Sequence, residues 1–151
     1  EHLVSRDFFN GYLMQFEYTT TVERWVIISF EEDGKLHLSN PIRLKHLSRN
    51  TLYSNSIIVD DAIETMPRFS WADEANTEDA IYFQVVSNSR GDLLSGTYTF
   101  DTHFTYYDTS NVVLNITQGT PPELNPAEAY EITVMGVSDD NWVNIFLNRS
   151  F

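Results

Sequence analysis

The stretch Leu124-Asn125-Pro126-Ala127-Glu128-Ala129-Tyr130, running into Glu131-Ile132-Thr133-Val134-Met135-Gly136-Val137-Ser138, decides how the rest of the chain is read. Tyr130, Ile132 and Val134 alternate with Glu131, Thr133 and Met135, which is the period of a strand with one buried face. Ahead of it Pro126 fixes φ in a turn, and Leu124 offers an apolar side chain to a core just before that turn. Downstream, Asp139-Asp140-Asn141 turns the chain, and Val143, Ile145 and Leu147 complete a hairpin. Upstream, Phe69 and Trp71 alternate inward, Ile81, Phe83 and Val85 make a strand, and Asn88-Ser89-Arg90-Gly91-Asp92 turns it. Leu93 to Tyr107 is β-rich, with Tyr98, Phe100, Phe104 and Tyr106 on one parity, and Val112, Leu114 and Ile116 add another strand.

Three features in order resemble the fibronectin type III family: the Phe69-Ser70-Trp71 strand, the Tyr82-Phe83-Gln84-Val85 strand, and Leu124 to Tyr130 leading into Glu131–Ser138. The resemblance covers residues 67–151 and implies an immunoglobulin-like sandwich. In such sandwiches a Tyr at the start of the sixth strand turns its hydroxyl back onto nearby backbone, a role that falls to Tyr130. Leu124 and Pro126 then belong to the same corner, and Trp71 is the core tryptophan. The departure is Gln118 to Glu123, with Pro121-Pro122, a longer connection that can project.

Residues 1–66 carry no family motif but alternate in the same way. Tyr12, Met14, Phe16 and Tyr18 share one face of a strand. Val22–Phe30 has apolar groups on both faces and reads as a central strand covered on two sides. Asp33-Gly34 is a hairpin turn, because glycine tolerates positive φ, and further strands are expected at Ile42–Leu44 and Leu52–Val59. An acidic connector, Asp60 to Met66, ends at Pro67, where the boundary is placed. The expected fold is therefore all-β: a fibronectin type III-like β-sandwich, residues 67–151, with an additional β-rich amino-terminal subdomain, residues 1–66, packed against it. Residues 35–59 hold Lys35, Arg43, Lys45 and Arg49 without one acid, whereas residues 67–151 carry 12 acids and 3 Arg, so opposite fields favour docking. Trp142 and Phe146 alternate with Val143, Ile145 and Leu147 and need a cover, which the amino-terminal strands can supply.

With 22 acidic against 9 basic residues and a net charge of −13, the chain repels a phosphate backbone, so nucleic acid is not an expected partner. No run approaches the length of a membrane-spanning helix. The absence of cysteine removes disulfides and thiolate metal sites and suits a bacterial exported or a cytosolic protein. Glu1 is not an initiator methionine, so any targeting or lipid-anchor signal is expected upstream.

Candidate sites come with competing readings. Trp142, Tyr106 and Tyr107 can form an aromatic platform for a sugar, or simply pack. Arg90-Gly91-Asp92 is the tripeptide that some fibronectin type III modules present to integrins, and it is also ordinary turn chemistry. Asp139 and Asp140, like Asp60 and Asp61, offer hard oxygens to a cation without the spacing of a calcium loop. His103 has one nearby acid, Asp101, but no nucleophile elbow or phosphate-cradling glycine pattern accompanies it. Asn115-Ile116-Thr117 and Asn148-Arg149-Ser150 are glycosylation sequons that matter only in a eukaryotic secretory pathway and are expected to be idle. The expectation is a non-catalytic module of an exported protein, periplasmic, outer-membrane-anchored or extracellular, plausibly a bacterial cell-envelope protein or lipoprotein. It binds protein or carbohydrate and needs no cofactor. A structural spacer and a hydrolase with a scattered carboxylate site are the alternatives.

Overall fold

The structure is a computed structural model that describes the strands at 4–8 and 13–17 and residues 22–73 and 78–151. The described residues form strands and no helices. In chain order the amino-terminal ones are β1 (Val4–Phe8), β2 (Leu13–Glu17), β3 (Arg24–Val26), β4 (Ser29–Glu32), β5 (Lys35–Leu38), β6 (Ile42–Leu44), β7 (Leu52–Ser54) and β8 (Ile58–Asp60). They are followed by β9 (Arg68–Ser70), β10 (Ile81–Asn88), β11 (Leu93–Thr99), β12 (His103–Thr105), β13 (Val112–Asn115), β14 (Tyr130–Val137) and β15 (Val143–Ser150).

Two sheets enclose the core. The larger has the order β13-β11-β10-β14-β15-β7 and the smaller the order β12-β9-β8. Phe69, Trp71, Phe104 and Tyr106 from the smaller sheet and its strand ends meet Tyr82, Val86, Ile132, Val134, Ile145 and Leu147 from the larger. Alternation explains the set. On β10 and β14 the even-numbered residues face inward, so Gln84 is enclosed with the apolar groups. Its amide is satisfied by Tyr82 O (3.0 Å), Thr99 Oγ1 (2.8 Å) and the Thr97 hydroxyl (3.2 Å), as a buried polar group requires.

The amino-terminal segment departs from the sequence expectation in three places. Val22–Phe30 is not one covered strand. It divides into β3, paired with β6, and β4, paired with β5, and Trp25, Ile27 and Phe30 are 59%, 55% and 52% exposed. These pairs stand as separate two-stranded pieces, which offer no second layer to bury an apolar face. Leu52–Val59 also divides, because Asn55-Ser56 lets the chain change sheets: β7 joins the larger sheet parallel to β15, and β8 pairs with β9. Ile57 between them is buried in the sandwich core, so residues before Pro67 complete both sheets. The Asp33-Gly34 turn forms as expected, with φ of 51° and 72°.

One parity expectation fails at a sheet crossing. Tyr98 lies outside the larger sheet, stacked on Phe83 with ring centroids 4.5 Å apart. After Thr99 the chain crosses to the smaller sheet, so Phe104 and Tyr106 enter the core while Phe100 is left 67% exposed. Period two holds only within one sheet.

Candidate interaction face

The odd-numbered residues of β10 and β14 point away from the core, and the register joins them into rows across the larger sheet. One row runs Leu114, Tyr98, Phe83, Met135, Phe146, Tyr53, crossing all six strands. The rows on either side are Gly96, Val85, Thr133, Asn148 and Ile81, Val137, Val143. No charged residue stands in these three rows, in a chain of net charge −13. At about 4.8 Å between strands the face is roughly 24 Å wide. Its ends are open, with Tyr53 73% and Leu114 53% exposed, whereas Phe83, Val85 and Thr133 at its centre are buried.

The amino-terminal segment covers Phe146 by extending the sheet rather than lying on it. Tyr53 packs beside Phe146 at 5.6 Å between centroids, and Thr51 donates its hydroxyl to Val143 O (2.7 Å). Trp142 is held by its indole N–H donating to Arg49 O (3.1 Å). Next to it is an ionic latch. The Lys45 ammonium, on a residue only 8% exposed, meets Asp140 Oδ2 at 3.0 Å, with Glu78 at 3.8 Å and Arg43 3.9 Å from the same Asp140 oxygen. Arg43 N–H donates to Asp140 O (3.0 Å), and Asn141 Nδ2 to Pro41 O (2.8 Å). Burial works against the charge on Asp140, but the Ser138 hydroxyl (2.6 Å) and Lys45 outweigh it and hold the carboxyl below its usual range. In the sequence Lys45 is one cation in a basic stretch; its depth shows only when β15 and the 41–51 segment are side by side.

A second buried group escaped the sequence reading. The ladder between β14 and β15 shifts register after Gly136, leaving Asn144 as the extra residue of a bulge. Val143 consequently pairs with Val137 on the outer face instead of joining Ile145 and Leu147 inside. Asn144 is fully buried and donates from Nδ2 to Asp79 Oδ1 (2.7 Å), whereas Asp79 Oδ2 and Asn144 Oδ1 have no partner among the described residues. The Asp79 carboxyl lies over Gly136, where an added Cβ would also come within 2.6 Å of Ile145 Cγ1. Burial pushes the Asp79 pKa up, the Asn144 bond opposes that shift, and the Asp73 carboxylate adds to it.

The corner before β14 is built as the sequence implied. Asn125 N–H donates to the Tyr130 hydroxyl (2.8 Å), Leu124 is buried beneath it, and Pro126 stands exposed in the turn. The two sheets form an all-β sandwich. Its corner backs onto a cavity of about 360 Å³ lined by Leu124, Tyr130, Val59, Pro67 and Phe151 among others. No family model matches the chain, and no curated protein matches it significantly. Among solved structures, the rat CD45 extracellular region, domains d3-d4, is similar at a TM-score of 0.43 and 15% identity, over 93% of this chain and 71% of that one.

Within this sandwich the predicted site residues are scattered. Tyr106 is wholly buried and donates its hydroxyl to Pro122 O (2.6 Å), pinning the 118–123 connection, so it forms no sugar platform. Tyr107 is 41% exposed beside it, with φ +73°, and Trp142 belongs to the β14–β15 turn against Arg49. Arg90 and Asp92 fold onto each other, Nε to Oδ2 3.0 Å, across Gly91 at φ +82°, and Asn88 Nδ2 also donates to that carboxylate (2.8 Å). The two charges of the tripeptide are therefore joined, not splayed. Asp139 is exposed and Asp140 is engaged by Lys45 and Ser138, and no three acids or histidines gather to hold a metal among the described residues. Asp101 accepts from Asn111 Nδ2 (3.2 Å) while His103 lies half-buried on β12. Trp71 is in the core, edge-on to Tyr82 at 5.5 Å, its indole N–H without a partner among the described residues.

Proposed function

We propose that the chain is a non-catalytic interaction module of an exported protein, docking a protein partner on the outer face of its six-stranded sheet. The observation that carries this is the uncharged row from Leu114 to Tyr53. A strongly acidic chain keeps charge off one broad face whose exposed apolar groups, Leu114 and Tyr53, stand at its two ends, and exposed apolar groups gathered on one face mark contact sites. The amino-terminal subdomain, residues 1–66, belongs to the module because β7 supplies one end of that face. A nucleic-acid partner has no support, because the field is acidic, and among the described residues no helix is long and apolar enough to cross a membrane. A lipobox cysteine upstream of Glu1 in the precursor would place the module on a bacterial envelope; a cleavable signal peptide without one would place it outside the cell.

The test is a photo-crosslinking residue installed in the producing cell at Tyr53, Leu114 or, as a control away from the face, Ile63. Tyr53 and Leu114 are expected to give the same discrete adduct, Ile63 none, and Tyr98→Arg is expected to abolish it. Absence of an adduct from the face, or equal labelling at all three positions, makes the domain a spacer.

A further inference from the structure

The two sequons differ in the geometry that N-glycosylation needs. Asn115 ends β13, the edge strand of the larger sheet. Its Oδ1 accepts both the Thr117 backbone N–H (3.1 Å) and the Thr117 hydroxyl (3.1 Å), while Gly96 N–H donates to that hydroxyl oxygen (2.9 Å). Donors on the amide oxygen draw electron density from nitrogen toward oxygen and free an N–H proton for removal. The Asn115 Nδ2 makes no hydrogen bond among the described residues. Asn148 is the opposite case. It lies within β15, its Nδ2 donates to Thr133 Oγ1 (3.0 Å), and Ser150 is carried about 7 Å further along an extended strand.

We propose that Asn115, and not Asn148, is the acceptor for an N-linked glycan when this chain passes through a glycosylating secretory pathway. The donor is an oligosaccharide carried on a lipid pyrophosphate. Asn115 Nδ2 forms a bond to the anomeric carbon, the carbon–oxygen bond to pyrophosphate breaks, Nδ2 loses one proton, and the lipid pyrophosphate leaves as the anion. The 115–117 turn rests mainly on contacts two residues apart, so it is available before the sheet closes. Asn115 is half-buried and pairs with Thr97, whose side chain is buried on the core side, so a glycan there starts from the core side of the edge strand β13 and not from the outer face. There it covers an unpaired edge, a recognised hazard for strand-to-strand association. A glycan on Asn148 would stand in the row Gly96, Val85, Thr133 on that face and would cost the Thr133 bond.

The test is secretion of the chain behind a signal peptide from a eukaryotic cell line, followed by enzymatic deglycosylation that converts the modified Asn to Asp. Peptide mass mapping of the wild-type chain is expected to find the conversion at position 115 alone, with the mass of one glycan lost on treatment. Asn115→Gln and Thr117→Ala are expected to lose that glycan, and Asn148→Gln to keep it. Conversion at 148, at both positions or at neither overturns the assignment, and the wild-type map decides without any variant having to fold.

Discussion

Replacing Asp140 by Asn tests how the amino-terminal segment is held to the sandwich. The substitution keeps the shape and an acceptor for Ser138 but removes the charge 3.0 Å from the Lys45 ammonium, leaving Glu78 at 3.8 Å as its remaining anion. Exposed pairs contribute about 0.2–1 kcal/mol, and breaking a fully buried one costs about 3–5 kcal/mol. The Lys45 and Asp140 side chains are 10% and 18% exposed. That places the loss between these limits, at about 2 kcal/mol, a fall of roughly 1 M in the urea midpoint for a slope near 2 kcal/mol/M. Lys45→Met combined with Asp140→Asn leaves no orphan charge, so the double variant is expected to recover about 1–2 kcal/mol relative to the sum of the singles. Urea melts at neutral pH give the free energies. Fluorescence in a Trp25→Phe background comes from the core Trp71 and from Trp142, whose N–H bond to Arg49 breaks if the segment detaches, so a change ahead of the global transition reports Trp142. Strict additivity, or a loss from Asp140→Asn below about 0.5 kcal/mol, which is within ordinary surface effects, would refute the latch.

Four further outcomes follow from the same geometry. Asp79, with its folded pKa raised, stabilises the protein only while protonated; that contribution is complete below the unfolded carboxylate value and is lost as pH rises through the folded value. Asp79→Asn is therefore expected to raise the neutral-pH stability by about 1 kcal/mol and to flatten its dependence on pH; an unchanged pH profile by thermal melting would mean the carboxyl is not strained. Asp140 has the opposite sign: its lowered pKa gives stability above about pH 3.9 that falls away as pH drops through the folded value, so acid melts of Asp140→Asn should lose that limb, and an intact one argues against the pairing. Tyr130→Phe should cost about 1–2 kcal/mol in denaturant melts through the orphaned Asn125 N–H, and no measurable loss would remove the corner's role. Gly136→Ala should cost about 1–3 kcal/mol because its Cβ meets Ile145 Cγ1 and the Asp79 carboxyl, unless Asp79→Ala relieves most of it, which would place the clash on the carboxyl alone.

Local chemistry made part of this protein legible in one dimension. Alternation gave the strands, Asp33-Gly34 its turn, and Leu124, Pro126 and Tyr130 their corner, because a strand's period, a positive φ and a residue-to-residue-plus-five bond depend on near neighbours. Opposite charge in residues 35–59 and 67–151 also indicated docking, since net charge survives any folding. The remaining features depend on which strands become adjacent. Tertiary structure alone divided Leu52–Val59 between two sheets, sent Tyr98 and Tyr106 to opposite sides, brought Lys45 under Asp140, and placed Asn144 in a bulge beneath Asp79. The outer face is the clearest case: Leu114, Phe83, Met135 and Tyr53 are far apart in sequence, and only register makes them one row.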